Sequence, residues 1–276
     1  MAGSLYLVPT PIGNLGDISR RMAETMAEAD FLAVEDTRVT VKLLNHLDIK
    51  KPMVTYHRHN AEPAGQAILN RILAGESCAL VTDAGTPAIS DPGEDLVALC
   101  AAHGVEVISI PGPCAVVTAL SVSGLPTGRF TFEGFLPLNK KNRRAQLESL
   151  AEETRTMIFY EAPHKLLATL EDLADCFGGD RRVAVCRELT KLHEEVLRTT
   201  LEEAVAHFGE VAPKGEFVLV LEGAQPKAAE ADPDGALARV FQLREEGLSL
   251  KEASAQAAAE FGMKKKALYD RAIGKE

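Results

Sequence analysis

No stretch of this 276-residue chain is apolar for long enough to span a bilayer, which takes about 20 residues in a helix. Its start, MAGSLYLVPTPIGN, lacks the basic opening and apolar run of a signal peptide, so a cytoplasmic location is expected. Cysteine is sparse, and Cys78, Cys100, Cys114, Cys176 and Cys186 include no C-x-x-C pair. That spacing suits buried, reduced thiols, and no metal site is expected. Neither G-x-G-x-x-G nor a P-loop occurs, which disfavours a dinucleotide or nucleoside triphosphate site, and no G-x-S-x-G elbow supports acyl transfer. Positive charge is also short. Thirty Lys and Arg face 40 Asp and Glu, a formal net charge of −10 that argues against an extended nucleic-acid surface while leaving local patches open.

What is present is an ordinary globular composition, 46% hydrophobic and 25% charged, over a length that fits two domains and an appendage. Leu5–Val8, Phe31–Val34, Met53–Tyr56, Cys78–Thr82 and Val105–Ile110 read as strands. Helical patterns such as DISRRMAETMAEA and AEPAGQAILNRILAG separate them. This alternation predicts an α/β domain over residues 1–115 with a parallel sheet covered by helices. From about residue 130, FTFEGFLP, TMIFYEA, RVAVCREL and EFVLVLEG read as strands with two helices between them. They predict a second, α+β domain with a mixed sheet over 116–223. Residues 224–235 (AQPKAAEADPDG) lack large apolar side chains and read as a linker, and 236–276 as a helix-turn-helix-like tail.

The stretch ALVTDAGTPAISDPGE (79–94) runs from a strand into a loop with no Lys, Arg, His or Cys. Asp91-Pro92-Gly93-Glu94 has the pattern of a helix start, with Asp91 as N-cap, Pro92 in the first turn and Glu94 reaching back. Residues 83–90 are left over. They share the carboxyl edge of the sheet with the loops PTPIGNLGD (9–17) and PGPCA (111–115), where ligand crevices form in open α/β sheets.

Four charged clusters follow strand ends or stand alone. Glu35-Asp36-Thr37-Arg38 is either a capped helix start or a charged rim whose Arg38 fork suits phosphate. His57-Arg58-His59-Asn60 places three donors beside an alternative N-cap, Asn60. Lys140, Lys141, Arg143 and Arg144 form a basic loop with no acid, and MKKKALYDR repeats the theme in the tail, so a polyanion such as RNA is the expected partner. In FYEAPHK (159–165), Tyr160 can stack on a flat ring and His164 can move a proton.

SLYLVPTPIGNLGDI, VEDTR, ALVTDAGTPAISDPG, IPGPCA and FYEAPHK, in this order, together resemble the tetrapyrrole-methylase superfamily. More narrowly they are similar to its branch that methylates a cytidine 2′-O-ribose in bacterial 16S rRNA. The resemblance implies S-adenosylmethionine bound in a cleft between two α/β domains, a substrate in the small ribosomal subunit, and a homodimer. Carried over by position, Gly85, Thr86 and Pro87 stand where relatives have Gly-Asp-Pro beside the cofactor, followed by Ile89 and Ser90. Cys114 and Ala115 match a Ser-Ala pair, Pro9 and Thr10 lie in the first loop, and Tyr160 is a further cofactor-binding candidate. Thr86 for Asp and Cys114 for Ser are departures from the pattern. Asp36, Glu161 and His164 are the candidate general bases. Arg38, His59, Arg187 and Lys191 are the candidates for substrate phosphate or ribose, with the basic loop. The alternatives are a porphyrinoid or protein substrate in the same superfamily, or a non-catalytic RNA-binding protein that retains the pocket.

Overall fold

The computed structural model describes residues 2–225 and 232–274, which form two compact units, 1–223 and 224–276. The first unit begins β1 (Ser4–Leu7), α1 (Arg20–Glu28), β2 (Phe31–Val34), α2 (Thr37–His46), β3 (Met53–Thr55) and α3 (Ala61–Leu73). It continues β4 (Cys78–Val81), α4 (Glu94–Ala102), β5 (Glu106–Ser109) and α5 (Ala115–Val122). The five strands are all parallel, in the order β3-β2-β4-β1-β5. Every residue of β2 and β4 is buried, as expected of central parallel strands with helices on both faces. Their side chains alternate: Phe31, Ala33, Cys78 and Leu80 pack with Ile68, Leu69 and Leu96, while Leu32, Val34, Ala79 and Val81 pack with Met22, Met26 and Leu44. The helices start where side-chain oxygens meet free backbone donors, at Ser19 for α1 and Asp36 for α2.

A second sheet follows from β6 (Phe130–Phe135), α6 (Lys140–Ser149), β7 (Thr156–Glu161), α7 (Leu166–Phe177) and β8 (Arg182–Arg187). It ends with β9 (Glu195–Thr200), α8 (Leu201–Glu210) and β10 (Phe217–Leu221). The order is β6-β7-β10-β8-β9, with β6 parallel to β7 and the other pairs antiparallel, so the sheet is mixed as expected. One face packs on α7 and α8 through Phe159, Val185 and Leu219. The other, through Ile158, Ala184, Cys186 and Val220, receives Val116, Ala119 and Leu120 of α5. Helix α5 therefore leaves the first sheet and packs on the second.

Three expectations change. DPGE does not start a helix at Asp91. Helix α4 begins at Glu94 after Gly93, whose φ of 143° no L side chain readily adopts, and no side chain caps it. A Cβ at position 93 would lie 2.8 Å from Leu80 Cδ2, so the close approach as well as the positive φ requires glycine there. The basic stretch 140–144 is the first half of α6, capped by Asn139 Oδ1. Strand β9 has no counterpart among the expected strands.

The second unit holds α9 (Pro233–Glu245), α10 (Leu250–Glu260) and α11 (Lys265–Ile273), packed through Leu237, Val240, Ala253, Ala257 and Leu268. Helix α9 starts inside the expected linker, capped by Asp232, and residues 226–231 of that linker lie outside the described residues. Lys264, Lys265 and Lys266 are exposed where α11 begins. All five cysteines are free thiols. Among the described residues no helix is long and apolar enough to cross a membrane, and no cluster of His, Cys, Asp and Glu is placed to hold a metal ion.

Candidate active site

Three loops after β1, β4 and β5 are fastened to one another. Thr10 and Gly85 exchange both backbone hydrogen bonds, at 2.9 and 3.0 Å, while the Thr10 hydroxyl donates to Thr82 O at 3.1 Å. The Thr86 hydroxyl donates to Pro113 O at 2.8 Å, joining the second loop to the third. Gly85 lies at φ 86°, where a Cβ would come to 3.4 Å from Ile12 Cγ2, a place that glycine fills without strain. Further on, Ala88 (φ 65°) and Ser90 (φ 67°) occupy the left-handed region without that freedom. Such strain persists where surrounding structure enforces it, and it concentrates at functional sites.

These loops wall one side of a cavity of about 390 Å³, within the usual range of small-molecule sites. Gly85, Thr86, Ile89, Ser90 and Asp91 form that wall, and Cys114 and Ala115 at the start of α5 form the floor. Tyr160, Glu161 and Phe135 face them from the second sheet, with Leu189 and Phe217 alongside. Tyr160 is set by edge contacts with Phe132 and Phe135, at ring separations of 4.9 and 5.5 Å. Burial raises its phenol above the ordinary range, so the ring offers a neutral hydroxyl.

Of the residues expected to hold a cofactor, Gly85, Thr86, Ile89, Ser90, Cys114, Ala115 and Tyr160 line the cavity. Pro9, Thr10 and Pro87 are not among its lining residues. They are buried, and Thr10 works behind the wall as the clamp on Gly85. Asp91, Phe135, Leu189, Glu216 and Phe217 also line the cavity, although no sequence pattern marks them for it; the last four come from distant parts of the chain.

The three candidate bases are placed very differently. Asp36 caps α2 by accepting from the Arg38 amide at 2.8 Å, and it holds the Arg38 guanidinium at 2.6 Å. These bonds pull its carboxyl down to about 2, which makes it a weak base. His164 is exposed and does not line the cavity. Glu161 lines it, but its two oxygens are engaged: one accepts from the Ala162 amide at 2.8 Å, the other from the Thr169 hydroxyl at 2.5 Å. Thr169 in turn accepts from Arg143 at 2.8 Å, and Arg143 bridges to Asp172 at 2.5 Å.

That chain corrects the reading of Arg143. Its side chain is only 11% exposed and turns inward from α6, because Thr169 and Asp172 on α7 supply partners that solvent-side residues do not. Lys140, Lys141 and Arg144 remain exposed, Arg144 beside Glu148 in an i,i+4 pair. Arg38 and His59 are exposed as well, but neither lines the cavity. Arg187 bonds Lys214 O and Glu195, and Lys191 bridges Glu188 and Glu216 at the cavity rim.

Among the described residues, no Lys, Arg or His lines the cavity, whereas Asp91, Glu161 and Glu216 do. A phosphate would find no counter-charge here. A cationic ligand with a flat ring and an amino-acid end finds carboxylates, Tyr160, and the uncapped first turn of α5. The fold and this site define an α/β small-molecule enzyme with its pocket between a parallel and a mixed sheet.

Residues 4–205 match Tetrapyrrole (Corrin/Porphyrin) Methylases, and residues 229–275 match the RsmI C-terminal HTH domain. The chain belongs to the tetrapyrrole methylase family. It is 50% identical over 268 residues to the Ribosomal RNA small subunit methyltransferase I of Synechocystis sp., covering 97% of this chain and 96% of that one. The Vibrio cholerae protein of the same name is 47% identical, covering 96% and 92%. Among solved structures, Uroporphyrin-III C-methyl transferase from Thermus thermophilus complexed with S-adenyl homocysteine shares the fold. Its TM-score is 0.55 at 20% identity, covering 80% of this chain and 97% of that one.

Proposed function

We propose that the protein methylates the ribose 2′-oxygen of a cytidine in 16S rRNA of the small ribosomal subunit, using S-adenosylmethionine. The observation that carries this reading is a cavity that no Lys, Arg or His lines among the described residues, lined instead by three carboxylates and the half-buried Tyr160, in a chain whose full-length relatives are named as ribosomal RNA methyltransferases. Exposed Lys140, Lys141 and Arg144 on α6 and Lys264–Lys266 on α11 supply local positive charge for the RNA backbone. Residues 1–115 and 116–223 act as two lobes around the cavity, in a homodimer working in the cytoplasm; the exposed apolar Leu138 and Leu192 support a second copy.

Bound S-adenosylmethionine supplies an activated methyl group. Gly85, Thr86, Cys114 and Ala115 would present backbone to the cofactor, Tyr160 would offer a ring face, and the carboxylates would favour positive charge at sulfur. The mutual fastening of the loops through Thr10, Gly85, Thr86 and Pro113 would keep the wall rigid, so that a bound donor and the ribose could be aligned before reaction, an effect worth about 7–11 kcal/mol of a barrier.

Tritium transfer from labelled S-adenosylmethionine onto small ribosomal subunits, bare 16S rRNA and a porphyrinoid tests the proposal. The expected label is in RNA, recovered as 2′-O-methylcytidine. Label in neither RNA substrate, or in the porphyrinoid alone, refutes it.

A further inference from the structure

We infer that Asp91 is the general base that removes the 2′-hydroxyl proton, a step that rests on the methyl-transfer reading above. A ribose hydroxyl is a poor nucleophile until it loses its proton, so the site needs a carboxylate or imidazole that reaches the cavity and is free to accept. Asp91 meets both conditions. It lines the cavity, and among the described residues no hydrogen bond or ion pair occupies its carboxylate. The other acids there are engaged: Glu161 by Ala162 and Thr169, and Glu216 by Lys191.

The backbone explains why Asp91 is free. In the sequence it stands where an N-cap belongs, and a capping carboxylate would spend itself on helix amides. The turns at Ala88, Ser90 and Gly93 delay the helix to Glu94, so Asp91 points into the cavity instead. Strained backbone that denies a residue its structural role, beside a ligand pocket, is the pattern of a functional constraint.

The charges around it agree. Glu35 at the end of β2 and Asp83 after β4 face Asp91 with like charge, Arg58 after β3 opposes them, and Tyr160 of β7 stands across the cavity. Burial, then the two carboxylates, raises the Asp91 carboxyl to about 6. It is therefore ionised near neutrality yet holds a proton more firmly than an ordinary Asp, which suits a base.

In the step, the Asp91 carboxylate takes the O2′ proton while the O2′ lone pair forms the bond to the methyl carbon. The carbon–sulfur bond breaks with its electron pair going to sulfur, leaving neutral S-adenosylhomocysteine. Protonated Asp91 then releases its proton to water.

The test compares wild type, Asp91→Asn and Asp91→Glu in single-turnover methyl transfer onto small ribosomal subunits, with S-adenosylhomocysteine affinity measured by calorimetry. The Asn variant is expected to lose roughly 10²–10⁴-fold in rate at unchanged affinity, and Glu to recover part of it. The wild-type rate should rise through about pH 6 and level off, and the Asn variant should lack that inflection. A wild-type rate in Asp91→Asn, or an affinity loss matching the rate loss, overturns the assignment. A wild-type protein that transfers no methyl to the subunit instead overturns the reading on which it rests.

Discussion

Asp91→Asn should make the protein more stable at alkaline pH, even though it removes the proposed base. In the fold, burial and the facing Glu35 and Asp83 raise the Asp91 carboxyl from 3.8 to about 6. Each unit corresponds to about 1.4 kcal/mol, so two units amount to about 3 kcal/mol. Asp91 is only half-buried, and solvent screening brings the figure to about 1–2 kcal/mol. The sign follows from proton counting. Between about pH 4 and pH 6 the folded chain binds more proton at this site than the unfolded chain does, so the stability contributed by protonated Asp91 is complete below that window. It is lost as pH rises through 6. Asparagine cannot ionise and escapes the loss. Urea unfolding followed by tyrosine fluorescence at pH 4 and pH 8 measures this, since Tyr6, Tyr56 and Tyr160 lie in the first unit. The two proteins should agree near pH 4, and the variant should lead by about 1–2 kcal/mol at pH 8. A wild type at least as stable as the variant at pH 8 would refute the electrostatic account of this loop.

Thr169→Val keeps the shape of a fully buried side chain but removes both its bond to Glu161 and its bond from Arg143. Urea unfolding should show a loss of about 2–4 kcal/mol, the cost of two charge-assisted bonds, and a neutral result would mean that the chain carries no energy. Replacing Lys140 and Lys141 by Ala should flatten the dependence of log RNA affinity on log salt, by about 0.7–0.9 for each phosphate that is no longer neutralised. Arg143→Ala should destabilise the protein through Thr169 and Asp172 and leave that slope as it was; equal slopes for both sets of variants would return Arg143 to the interface.

The first sheet is legible almost to the residue because its strands appear as short apolar runs bounded by helix patterns, most clearly β2 and β4, which are buried on both faces. Strand β9, EVLRTT, carries no such run. It is the edge of its sheet, with no fully buried residue, so half of its side chains answer to solvent. The basic stretch reads as a loop because charge dominates its composition; the signal for α6 is Asn139, which caps it. At the site, the loop residues are legible because glycine and proline mark where the backbone must bend. Leu189, Phe217 and Phe135 are not, since nothing local distinguishes a cavity-lining apolar side chain from a core one. Asp91 misleads for a subtler reason. D-P-x-E is the same string whether the helix begins at once or after one more turn, and only the left-handed Gly93 decides.

Helix α5 ties two properties together. Its first residues floor the cavity, its body is packed on the second sheet, and the Thr86–Pro113 bond fastens the loop before it to the first. The floor of the pocket is thus also the joint between the sheets. A ligand that fills the cavity should stiffen that joint, because it would touch residues fixed to both sheets. Ligand occupancy should therefore be read out at the joint, as slower amide exchange at Gly112 and at Cys114, Ala115, Val116 and Val117.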